Sequence, residues 1–251
     1  MTVMDIIRKT LNIVKNFFFT PECIFCEKHL EINEERYYCK DCEAALELCH
    51  REICCEKCGK PIVSHGEKVR CYFCLNHKPL YYDRIIAPFK YAGIVKESVL
   101  RFKSGRFSNY LSPYGDFMTA ELNREYGGIE FDAICCIPSH NPGTKDYGEE
   151  NVELLAECIS KKARIPIGKG KLVKIRETRK QKTLGYKDRL DNVKDCMTVT
   201  KPAAVKDKTI LLIDDVCTTR ATLIEGSRAL KKAGAKRVYA LTVATTTKEN
   251  D

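Results

Sequence analysis

No run of eighteen apolar residues, the length a membrane-spanning helix needs, occurs in the 251-residue chain. Glycine and proline are sparse, 14 and 9 residues, too few for a collagenous or low-complexity sequence. The opening stretch does not read as a secretory leader, because Asp5, Arg8, Lys9 and Lys15 interrupt its apolar residues and no small-residue cleavage site follows. Cysteine is scarce over most of the chain, with five residues after position 74. These absences set the expectation of a cytoplasmic protein with no transmembrane segment. A content of 44% hydrophobic and 31% charged residues then places it among globular chains, long enough for one large domain or two smaller ones.

What the chain does have is ten cysteines between Cys23 and Cys74. Eight of them form four Cys-x-x-Cys pairs, Cys23/Cys26, Cys39/Cys42, Cys55/Cys58 and Cys71/Cys74, whose first members recur every 16 residues. Each pair can form a tight turn that aims two thiolates at one tetrahedral centre, so two pairs complete a closed four-sulfur zinc site. In a reducing compartment clustered thiols hold metal rather than form disulfides. Two structural zincs are therefore expected, supplying folding energy that so short a segment cannot draw from its own core. The spacing allows neighbouring pairs to share a metal or the pairs to cross-brace; the neighbouring arrangement is the expectation. Cys49 and Cys54 fall outside the period and read as plain thiols, and His29, His50, His65 and His77 are not needed as ligands.

Val3, Ile6, Ile7, Leu11, Val14 and Phe18 recur at helical spacing ahead of the first cysteine and predict an amphipathic helix. Basic and acidic residues balance over residues 1–80, so the formal net charge of +9 belongs to the remainder. The electrostatic footprint for an anionic partner lies there and not in the cysteine-rich module.

Beyond Pro79 the pattern changes. RIIAPFKYA, FDAICCIP, KLVKI, TILLIDDV and RVYALTVAT read as strands, and IVKESVLRF, NYLSPYGDFMTAELNREY, EENVELLAECISKKA and ATLIEGSRALKKAG read as helices. The alternation predicts an α/β fold: a small cysteine-rich zinc-ribbon module over residues 1–80, then a parallel-sheet domain over residues 81–251.

The most informative segment is ILLIDDVCTTRATL, Ile210 to Leu223. An apolar strand runs into Asp214 and Asp215, then a hydroxyl-rich turn with Thr218, Thr219 and Thr222, then a helix. Such a turn aims backbone N–H groups and a helix N-terminus at one point, which suits a phosphate, while the two carboxylates suit vicinal sugar hydroxyls and a nearby magnesium ion. The ligand this combination describes is a ribose 5-phosphate.

The same segment resembles the PRPP-binding motif of type I phosphoribosyltransferases, a hydrophobic strand, two acidic residues, then Thr-Thr-Gly-x-Thr. With the amphipathic helix and the paired Cys-x-x-Cys module, essentially the whole chain resembles the ComF/GntX family. The resemblance implies a type I phosphoribosyltransferase-like domain, PRPP or a related ribose phosphate as ligand with magnesium, and a link to DNA uptake in natural transformation. It implies that Thr218, Thr219, Arg220, Ala221 and Thr222 form the 5-phosphate loop. It also places Lys103, in Arg101-Phe102-Lys103-Ser104-Gly105-Arg106, toward the substrate pocket. Gln181, Arg189 and Asn192 match a Gln and Arg-x-x-Asn stretch ahead of the PRPP strand, and the segment from Pro138 to Gly148 corresponds to a mobile loop. In an enzyme Asp214, Asp215, Lys103 and Arg189 would be the catalytic set.

Two departures from the family pattern stand out. Arg220 occupies the place of the glycine, where it can clamp the phosphate or cross the pocket, and Glu149 and Glu150 stand in the mobile loop where the family carries an Arg-Gly-Phe-Asn-Gln run. The alternative function is a non-catalytic module that binds single-stranded DNA, a DNA-uptake helicase or other competence proteins. The basic residues Lys171, Lys174, Arg176, Arg179, Lys180, Lys182, Lys187 and Arg189, with Tyr186 as a stacking partner, form the candidate groove; its bland reading is a solvated basic face.

Overall fold

The computed structural model describes residues 21–31, 36–62, 69–104, 108–138, 151–179 and 186–247. The amphipathic segment Val3 to Phe18, His65, residues 139–150 of the mobile-loop segment, and Lys180, Gln181 and Lys182 lie outside them.

Short helices α1 (Lys40–Ala45) and α2 (Tyr72–Asn76) belong to the cysteine-rich part. They are followed by strands β1 (Arg84–Ile86) and β2 (Phe89–Lys90), helices α3 (Gly93–Lys103) and α4 (Ser108–Tyr126), strand β3 (Ala133–Cys136), helix α5 (Asn151–Ala163), strand β4 (Leu172–Lys174), helix α6 (Tyr186–Val193), strand β5 (Met197–Val199), strand β6 (Thr209–Cys217), helix α7 (Ala221–Lys232) and strand β7 (Arg237–Thr245). The main sheet has the order β1-β7-β6-β3, with β2 continuing the β1 edge along β7, and all its pairings are parallel.

The stretch read as one strand, RIIAPFKYA, is broken. Pro88 has no N–H to give to a ladder, and its carbonyl instead accepts the Cys49 amide at 2.9 Å, so β1 and β2 pair with β7 as separate pieces. KLVKI is a strand but lies outside the main sheet: β4 pairs antiparallel with β5.

Side chains alternate between the two faces of the sheet, as strands buried on both sides require. Leu211, Ile213, Tyr239, Leu241 and Val243 join the core against α3, α4 and α5, while Ile210, Leu212, Val238 and Ala240 join the one against α7 and the β4-β5 pair. The cysteine-rich part divides along the same line. Cys23, Ile24, Phe25, Leu30, Cys42 and Leu46 pack into the first core, and Cys55, Cys58, Cys71 and Cys74 pack with Tyr82 into the second. The two ribbons therefore straddle the β1-β2 edge of the sheet.

Close backbone contacts fix them there. Lys90 donates its amide to Glu47 O at 3.0 Å, and Ile85 donates to Lys57 O at 3.0 Å. Gly59 has φ +65°, and a Cβ at that position would stand 2.5 Å from Ile85 O, so the turn after Cys58 can approach β1 only without a side chain.

Candidate ribose-phosphate site and two four-cysteine centres

The eight spaced cysteines fall into two groups, Cys23/Cys26/Cys39/Cys42 and Cys55/Cys58/Cys71/Cys74, within each of which the sulfur atoms lie within 4.8 Å of one another. Neighbouring pairs thus come together. Cys26 Sγ and Cys39 Sγ are 3.7 Å apart, Cys58 Sγ and Cys71 Sγ are 3.6 Å apart, and the Cys39 amide donates to Cys23 Sγ at 3.4 Å. Four soft sulfur donors converging on a point small enough for one ion, with no oxygen donor among them, fit a closed tetrahedral zinc site. Bound zinc supplies a cross-link for each ribbon. Cys49 and Cys54 belong to neither group, and Cys54 Sγ donates to Cys49 O at 3.2 Å. Of the histidines, His29, His50 and His77 also belong to neither.

The second centre lies at the C-terminal end of β6. Asp214 Oδ1 accepts the Asp215 amide at 2.8 Å, Asp214 Oδ2 accepts the Thr222 hydroxyl at 3.2 Å, and Asp215 Oδ1 accepts the Val216 amide at 2.6 Å. Lys103, the last residue of α3, places Nζ 2.7 Å from Asp215 Oδ2. Asp214 is buried, and burial together with the Asp215 charge pushes its carboxyl up to about 7 against the pull of Lys103. Burial works against the Lys103 ammonium, but Asp215 and then Asp214 hold it above the ordinary lysine range.

The loop from Thr218 to Arg220 is tied to the end of β7. Thr246 donates its amide to Cys217 O at 3.0 Å and its hydroxyl to Thr218 O at 3.1 Å. Ala221 opens α7, so the turn has the strand-loop-helix form expected from the sequence. Thr219 and Ala221 are buried.

Arg220 differs from both roles the sequence offers it. Its backbone is left-handed, φ 67° and ψ −3°, the conformation that a glycine adopts without penalty. Its guanidinium neither clamps the loop nor crosses the pocket. It is buried and stacks over Phe73, 4.5 Å from the ring centroid, on the second ribbon. The loop keeps the backbone N–H of this residue and loses the side chain to the cysteine centre.

Arg189 sits half-buried on α6, which packs against α7. Asn192 holds the upstream segment in place, its side chain accepting the Arg179 amide and donating to the Arg179 carbonyl, each at 2.9 Å. Within the basic segment Arg176 donates to Lys194 O at 2.6 Å and to Glu177 O at 3.3 Å, so part of that charge serves local structure.

Two further residues stand beside the site: Tyr91, which no motif announces, and Asn151, the last residue of the stretch matched to the mobile-loop run. Tyr91, just beyond β2, lies near enough to Lys103 and Asp215 for both charges to act on its phenol, which burial pushes above its ordinary value. Asn151, at the start of α5, donates to Phe102 O at 3.1 Å and so fixes the backbone beside Lys103.

Residues 14–75 match the family model of the double zinc ribbon domain, and residues 154–250 match that of the phosphoribosyl transferase domain. Competence protein ComFC of Bacillus subtilis is 23% identical over 227 residues, covering 84% of this chain and 89% of that protein. Competence protein F of Haemophilus influenzae is 25% identical over 237 residues, covering 88% and 95%. DNA utilization protein YhgH of Escherichia coli K12 is 25% identical over 216 residues, covering 80% and 93%. The chain thus carries a double zinc ribbon ahead of a phosphoribosyl transferase domain, and along most of its length it is similar to two competence proteins and a DNA utilization protein.

Proposed function

We propose that the C-terminal end of the sheet binds PRPP or a related ribose 5-phosphate, and that the protein serves DNA uptake through that site. The observation that carries the reading is the meeting of Asp214, Asp215 and Lys103 with the Thr218–Thr222 loop at the end of β6. In this reading the loop amides and the N-terminus of α7 receive the 5-phosphate, with Thr218 and Thr219 adding hydroxyl donors while the Thr222 hydroxyl holds Asp214. Asp214 and Asp215 accept hydrogen bonds from the ribose hydroxyls. The position of the Arg220 guanidinium supports it, because that side chain lies against Phe73 of the second ribbon.

Magnesium suits these hard carboxylate oxygens. Asp215 already holds Lys103 and Asp214 already accepts two hydrogen bonds, so the ion would arrive with the diphosphate of its ligand and draw most of its oxygens from there. For phosphoribosyl transfer the remaining candidates to meet the departing pyrophosphate are Lys103, beside Asp215, and Arg189. The names of the relatives, two competence proteins and a DNA utilization protein, support the link to DNA uptake.

A second reading, a binding module for single-stranded DNA or uptake-machinery proteins, is favoured by one observation: the formal charge of +9 falls entirely after residue 80. Calorimetric titration of the zinc-loaded protein with PRPP and magnesium, beside the Asp214→Asn, Asp215→Asn double variant, separates the two. Binding that the variant loses supports the first. No heat in either protein sinks it and moves the search to single-stranded DNA, where affinity should fall with salt.

A further inference from the structure

The two cysteine centres differ in their surroundings. In the first, Cys26 and Cys39 are half-buried; in the second all four ligands are buried. Four thiolates around a zinc dication leave two negative charges over, and a buried charge without a partner is costly. Near the first centre Arg101 donates to the knuckle carbonyls of Ile24 and Phe25, at 3.3 and 2.7 Å, and not to sulfur. At the second, the arginine comes from the opposite module. Arg220 is 7% exposed and stacks on Phe73, which lies between the ligands Cys71 and Cys74.

The backbone of Arg220 reinforces the point. A non-glycine residue in the left-handed region is strained, and such strain persists where the surroundings over-determine it. What surrounds this side chain is the second cysteine centre and its aromatic neighbour.

We propose that Arg220 is an outer-sphere support of the second zinc site, its guanidinium supplying counter-charge to the thiolates while braced on Phe73. The residue that the phosphate loop places in the left-handed position is thereby assigned to the metal. The inference goes beyond the ribose-phosphate reading and does not rest on it, since its test reads zinc and needs no ligand.

The test compares the full zinc-loaded protein with its Arg220→Gly and Arg220→Lys variants. Zinc release to a colorimetric chelator is timed, and the cysteines that become reactive are located by alkylation and mass spectrometry. Loss of an outer-sphere partner lowers metal affinity by about 10–100-fold. Arg220→Gly should accordingly release one zinc at least about tenfold faster, with alkylation appearing first at Cys55, Cys58, Cys71 and Cys74 and the other group unchanged. Glycine also relieves the left-handed backbone, so a failure to fold is not built into this variant. Arg220→Lys, which keeps charge but not the planar stack, should release zinc at an intermediate rate. Release at the parent rate from Arg220→Gly would overturn the proposal, as would equal acceleration at both cysteine groups. A lysine variant as leaky as the glycine variant would overturn the counter-charge role.

Discussion

Lys103 Nζ lies 2.7 Å from Asp215 Oδ2, although one residue ends a helix near the start of the sheet domain and the other lies in the last third of a strand more than a hundred residues later. The pairing also bears on Asp214, because Lys103 opposes the upward push that burial and Asp215 exert on its carboxyl. Lys103→Met should raise the Asp214 titration above its position near 7 and weaken ribose-phosphate binding at least about tenfold, or ~1.4 kcal/mol. Carboxyl-carbon NMR titration beside calorimetry would check both, and an unmoved Asp214 titration would refute the coupling.

Asp214 also makes a signed prediction about stability. Its folded value, about 7, lies above the usual 3.8, so the folded protein holds the proton more tightly than the unfolded chain. The contribution is full below pH about 4 and is lost as pH rises through about 7. Asp214→Asn should flatten that decline and stabilise the protein at pH 8 by roughly 1–3 kcal/mol relative to the parent, even as it removes ligand binding. Thermal melts of both proteins from pH 4 to 8 provide the measurement; parallel curves would refute it.

Because each ribbon packs into one of the two sheet cores, metal removal should not melt the cysteine-rich part alone. A zinc chelator is expected to lower the melting temperature of the sheet and helices together, followed by far-ultraviolet circular dichroism. Retention of the parent transition after both zincs have left would contradict the shared cores.

Gly59→Ala tests how the second ribbon is seated on β1. The added Cβ would meet Ile85 O at 2.5 Å, and φ +65° strains any side chain there. A loss of about 2–4 kcal/mol is expected by denaturant titration, from strain and displaced backbone acting together. A change below about 0.5 kcal/mol, the range of ordinary surface substitutions, would show that the turn relaxes freely.

Where the sequence was legible, the local signal and the final environment agreed. RVYALTVAT is β7 residue for residue, and TILLIDDV gains only Cys217, because dense β-branched and apolar runs are buried on both faces of a parallel sheet. Helix α6 escaped because it is largely polar, with Leu190 and Val193 as its main apolar anchors. Strand β5 is three residues long and owes its form to pairing with β4, a partner more than twenty positions upstream. In the site, the acidic pair and the threonine turn follow from chain order; the spacing of the cysteines allowed neighbouring or cross-braced pairs, and the packing of each ribbon decides for neighbours. The destination of the Arg220 side chain does not. It is decided by a thiolate centre assembled from residues far upstream, which no local pattern around Arg220 encodes. Tyr91 likewise owes its place to the bend that Pro88 imposes.

The strand that completes the edge beneath both ribbons is β7, the last in chain order, with which β1 and β2 form their ladders. A ribosome adding about 5–20 residues per second reaches it on the order of ten seconds after the final ribbon cysteine. Through that interval the nascent ribbons have their metal but not their seat, and apolar residues such as Phe25 and Tyr82 wait uncovered. Zinc capture is thus an early, local event in biosynthesis and docking a late, long-range one, so a ribosome stalled between the two would expose a metallated but adhesive intermediate.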